Sequence, residues 1–209
     1  MAPMRADKEA ALLGDRNPTA GRAEGASAAL LEASHRADVG GCRRALLAGA
    51  DPDALDPLHG LGALTLAVDA RAPSSSACVE ELLKWCEPKK TGKNGETALM
   101  RAAGLGMDEC VELLLPVSDV DAATIGGEST ALMEAAYLCE SGCLRLLAPV
   151  SNVEQRGRHG QTALDLAVQE GFDEGAEIIR AEMSRREAVL IDGACLAPWP
   201  PAGSGRKAL

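Results

Sequence analysis

An all-α solenoid of stacked helix–turn–helix units, joined by hairpin-like loops, is the fold class this sequence predicts. Three observations predict it. A threonine-led segment recurs with the threonines 33 and then 32 residues apart, at Thr97, Thr130 and Thr162. A second apolar block follows each threonine at the same distance of 13 residues, at Cys110, Cys143 and Gly175. Aromatic residues are only 2% of the chain while hydrophobic residues are 46%, so the core must be built from Leu, Ala, Val, Ile and Cys. Small side chains suit thin helical layers better than a β-sandwich.

The first block of each repeat reads as a short helix. The three strong copies are Gly95-Glu96-Thr97-Ala98-Leu99-Met100-Arg101-Ala102-Ala103, Glu128-Ser129-Thr130-Ala131-Leu132-Met133-Glu134-Ala135-Ala136 and Gly160-Gln161-Thr162-Ala163-Leu164-Asp165-Leu166-Ala167-Val168. Each threonine stands where a hydroxyl can take up an orphan backbone N–H, and Thr162 with Asp165 approximates a capping box. Leu99, Ala102 and Ala103 share one helical face, and Gly104 and Gly106 end the helix. In the second block, Cys110, Leu113 and Leu114 are expected to be buried, with Leu146 as a buried counterpart one repeat on. Pro116 and Pro149 stop these helices.

Two weaker copies lie upstream. Ala63–Val68 leads, after an insertion at Ala72–Ser75, to Cys78-Val79-Glu80-Glu81-Leu82-Leu83. Ala28–Ala33 leads to Cys42-Arg43-Arg44-Ala45-Leu46-Leu47, an atypical end repeat. The expected organisation is a flexible segment over 1–25, a repeat domain over 26–191 and a Pro/Gly-rich tail over 192–209. A short helix is possible over Ala6–Leu13. The last helix runs on from Asp173 to Ile191, with Ala176, Ile179, Met183 and Leu190 on one face and Glu182, Arg185, Arg186 and Glu187 elsewhere; it reads as a polar cap, a lid or a dimer helix. The tail carries Trp199 among prolines, a form suited to docking.

The pattern G-x-T-A-L-x-x-A-A, a turn, then V-x-L-L resembles the ankyrin repeat over about Ser27–Arg180. This chain has Ala where that consensus has Pro, and Met100 or Met133 where it has His. The resemblance implies an L-shaped stack whose hairpin tips and first helices line a concave, protein-binding face. Mapped by repeat phase, the contact positions are Lys93, Asn94, Glu96 and Leu105, then Ile125, Tyr137 and Leu138, then Arg158, His159, Gln161 and Glu170, with His35 and Arg36 at the matching place in the first copy. Tyr137 leads, because tyrosine is enriched at interface hot spots. The function implied is a scaffold or adaptor for a protein partner. The alternative is a regulatory or inhibitory subunit of an enzyme such as a kinase, as in short inhibitors built of the same repeats.

Other chemistry finds little footing. The net charge of −10 argues against nucleic acid, whose binders need a basic face. Met1–Leu13 has no apolar stretch for a signal peptide or a membrane span, so a cytoplasmic or nuclear compartment with reduced thiols is expected. Cys42, Cys78, Cys110 and Cys143 hold one position in four successive repeats. Layers of packed helices lie about 8–10 Å apart, whereas disulfides need Cα atoms within roughly 7 Å. These four are therefore expected neither to pair with one another nor to share a zinc. Cys86 and Cys195 lie off the repeated position and are expected to be open to oxidation. With no C-x-x-C pair, no complete phosphate loop and three scattered histidines, the chain is expected to be a monomer without enzymatic activity, metal or cofactor.

Overall fold

The computed structural model describes residues 18–126 and 129–191. Among these residues ten helices form five pairs: α1 (Pro18–His35) with α2 (Val39–Leu47), α3 (Ala63–Asp69) with α4 (Ser75–Leu82), α5 (Ala98–Gly104) with α6 (Asp108–Leu114), α7 (Ala131–Tyr137) with α8 (Ser141–Leu147), and α9 (Ala163–Gln169) with α10 (Asp173–Ile191). Besides its own partner, each first helix packs on its neighbouring first helices, in the order α1, α3, α5, α7, α9. Second helices do likewise, in the order α2, α4, α6, α8, α10. Each layer thus buries its apolar face against the next, the arrangement that a period near 33 requires. The helical backbone reaches back to Pro18, upstream of the expected domain start at residue 26. The stretch over Ala6–Leu13, Cys195 and Trp199 lie outside the described residues.

The caps form where the threonines predict them. Thr97 accepts from the Met100 N–H at 3.2 Å and Thr130 from that of Met133 at 3.3 Å. Thr162 accepts from the Asp165 N–H at 3.3 Å while Asp165 takes up the Thr162 N–H at 2.8 Å, closing the capping box. The second repeat has Gly62 at this place and no side-chain cap.

The second helices bury a different set from the one expected. Cys110, Val111 and Leu114 are fully buried, as are Cys143, Leu144 and Leu147, and Cys78, Val79 and Leu82. The inward positions are i, i+1 and i+4. Leu113 and Leu146 are only half-buried and flank this stripe. The reason is geometric: each second helix is wedged between its own partner and the next layer, so the buried sector turns toward residue i+1.

The run-on of α10 also departs from expectation. Ala176 and Ile179 are buried and Met183 is packed against the core, yet Glu182, placed on the far side by sequence, is only 7% exposed. Its carboxylate accepts from Arg185 at 2.8 Å and Arg186 at 2.7 Å. Arg186 in turn donates to the carbonyls of Ala148 and Ser151, at 2.8 and 2.9 Å, which follow the end of α8. Long side chains reach round the helix and carry their charge to a layer that period alone places out of range.

The cysteine row holds one surprise. All four repeated cysteines are free and buried, but the sulfurs of Cys42 and Cys78 lie 3.4 Å apart. Layer spacing separates helix axes; it does not separate two side-chain tips that enter the same seam. Cys143 instead directs its thiol to Asp108 Oδ1 at 3.1 Å. Cys86, expected to be open, is buried and donates to the Pro52 carbonyl at 3.1 Å.

Candidate interaction face

The connections between layers are hairpins with a closing backbone bond in each: Asp56 N–H to Leu61, Gly92 to Glu96, Thr124 to Ser129 and Gly157 to Gln161. Successive tips are tied together. Lys93 N–H donates to the Gly60 carbonyl at 3.1 Å, and Ile125 N–H donates to that of Asn94 at 3.0 Å. Gly95, at φ 75°, sits under this second tie, where a Cβ would come within 2.6 Å of the Ile125 nitrogen. The first three tips therefore form a continuous edge beside the first helices.

Between this edge and α5 and α7 lies an open cleft of about 680 Å³, lined by Lys93, Asn94, Glu96, Arg101, Ile125 and Glu134 together with Met100, Thr124 and Ser129. Arg101 ties its wall to the preceding repeat. Its guanidinium donates to Asp69 Oδ1 at 2.7 and 3.0 Å and stands 3.5 Å from Glu96 Oε1. Burial holds the Glu96 carboxyl above its usual range and outweighs the pull of Arg101. Glu134 makes no ion pair among the described residues. Ile125 is 67% exposed at the rim.

Of the positions chosen by repeat phase, Lys93, Asn94, Glu96 and Ile125 are brought together in this cleft. Tyr137 and Leu138 are exposed at the end of α7, with Leu138 lying over Gly104; they do not line the cleft. Leu105 is half-buried and packs against the core. Arg158, His159 and Glu170 are exposed on the fifth repeat and Gln161 is partly buried there, apart from the cleft. His35 and Arg36 are exposed at the first turn, where Arg36 pairs with Glu32. Phase reasoning missed Arg101 and Glu134. Both stand four residues past the capping threonine, at the same place on successive first helices, and that register was visible in the sequence.

His59 pairs with Asp56 at 2.9 Å on the surface. Among the described residues no group of three or more His, Cys, Asp and Glu is arranged to hold a metal ion, and no helix is long and apolar enough to cross a membrane.

No curated protein matches the chain. The family model for ankyrin repeats in three copies matches residues 30–124 and again 106–186. The match runs from within α1 to within α10 and takes in the helices between them, the threonine caps and the hairpin edge. Such repeats are generally protein–protein interaction modules, and this chain belongs to the ankyrin-repeat family.

Proposed function

We propose that the chain is a scaffold that holds a protein partner on the face made by its first helices and hairpin tips, centred on the cleft between the third and fourth repeats. The cleft carries this reading: it is the place where side chains chosen only by repeat phase converge. Asn94 and Ile125 are exposed at the rim, while Lys93 lies over Gly60 and reaches the Pro57 carbonyl and Glu96 stands beside Arg101. The cleft is best suited to a segment that pairs a cationic side chain with an apolar one. The cation answers the half-buried Glu96, which shares Arg101 with Asp69, and Glu134, which makes no ion pair among the described residues; the apolar group covers Ile125. Tyr137 and Leu138 extend the apolar contact toward the fifth repeat. No active site is assigned to the chain in this reading.

The test is quantitative affinity capture from the native cell, comparing the wild type with Ile125→Asp and Tyr137→Ala. Both side chains are exposed, so the melting temperature should not move. A partner retained by the wild type should be recovered at roughly 10-fold lower yield with Ile125→Asp. Equal recovery by all three proteins sinks the reading.

A further inference from the structure

We propose that Cys42 and Cys78 form a modification site, a thiol pair that a small-molecule disulfide oxidises to an intramolecular disulfide clasping the first repeat to the second. The sulfurs are 3.4 Å apart, on α2 and α4 of adjacent layers and 36 residues apart in sequence. Closing to a bond needs an approach of about 1.4 Å, which a small side-chain rotation supplies. The contact is particular to this seam. Cys143 turns to Asp108 and Cys86 to the Pro52 carbonyl, and no second sulfur–sulfur contact is present among the described residues.

Both sulfurs are fully buried, so reaction requires an opening. The seam lies where opening is easiest. Among the described residues α1 and α2 have a neighbouring layer on one side only, and in a stack with nearest-neighbour stability the end layer detaches at least cost. The pair is also primed. Either thiol can donate to the other across the contact, so the first sulfur to lose its proton is stabilised by the S–H of its neighbour, against the burial that opposes both. Ser34 Oγ, 3.5 Å from Cys42, adds a second polar neighbour.

The chemistry balances with oxidised glutathione as the oxidant. The Cys42 thiolate attacks one sulfur of the glutathione disulfide and releases a glutathione thiolate, leaving a mixed disulfide on Cys42. Cys78, giving up its proton to solvent, attacks the Cys42 sulfur and releases the second glutathione thiolate. Two electrons pass from the cysteine pair to glutathione, and both glutathione thiolates leave protonated at neutral pH.

Native full-length protein is incubated with oxidised glutathione, trapped in acid and mapped as non-reduced peptides. The expected result is a Cys42–Cys78 cross-linked peptide lighter by two hydrogens. Hydrogen exchange over α1 and α2 should slow by roughly 10-fold or more relative to the reduced protein. Cys42→Ser and Cys78→Ser should each lose both the cross-link and the slowing. The exposed Cys139 reports plain accessibility. Recovery of Cys42 and Cys78 as free thiols after Cys139 has been fully glutathionylated overturns the proposal, as does either residue bonded to any other cysteine. The map of the wild type decides the matter even where a variant fails to fold.

Discussion

Cys139 occupies a backbone conformation that suits glycine. The turn between paired helices takes one residue to positive φ in every repeat: Ala37 at 50°, Arg71 at 49°, Gly106 at 66°, Cys139 at 62° and Gly171 at 68°. Only two of the five are glycine. A Cβ in this region costs roughly 1–2 kcal/mol, partly offset by the freedom glycine adds to the unfolded chain. The Cys139 side chain is exposed, so its removal leaves no cavity. Cys139→Gly is therefore expected to stabilise the fold by about 0.5–1 kcal/mol in urea denaturation. Gly106→Ala should go the other way by about 0.5–1 kcal/mol, set by its φ of 66°, since the Glu140 carboxylate that its new Cβ meets is the end of a flexible side chain and can swing aside.

Within one element, the face of α6 makes the sharpest contrast. Leu114 is fully buried and Leu113, one residue earlier, only half so. Leu114→Ala should cost about 2–5 kcal/mol and Leu113→Ala roughly half as much, read from the midpoints of urea melts. The same ordering is expected of Leu147 over Leu146 in α8. Equal costs would mean the stripe has been placed on the wrong residues. The two leucines also mark what the sequence made legible. Helices, caps and hairpins are local, and Thr97, Thr130 and Thr162 announced them by hydroxyl chemistry and spacing alone. The tilt of each buried stripe depends on how the next layer meets it, which no single segment encodes. The Cys42–Cys78 contact and the reach of Arg186 to α8 are of that second kind. In the cleft, Lys93, Asn94, Glu96 and Ile125 were readable because tips share a phase, while Arg101 and Glu134 were passed over although their register was equally plain.

Across the whole molecule, the stack is held at its last layer by charge. Burial alone would raise the Glu182 carboxyl, but its bonds from Arg185 and Arg186 outweigh that and hold it below the usual range. A carboxyl with a lower value folded than unfolded adds stability above its unfolded value near 4.3, and that contribution fades as pH falls through the folded one. Asp165 in the capping box of α9 is lowered too, by the Thr162 N–H and hydroxyl it accepts. Both groups belong to the fifth repeat. Hydrogen exchange at pH 3 against pH 7, corrected for intrinsic rates, should show protection lost over α9 and α10 before α5 and α6. Uniform loss along the chain would count against the assignment.

The Arg186 contact gives this loss a direction. One guanidinium spans two carbonyls of the preceding layer, so releasing it strips donors from the end of α8 as well as freeing α10. Acid should therefore unzip the molecule as a row of tiles lifts from one end, each freed tile loosening the edge of the next.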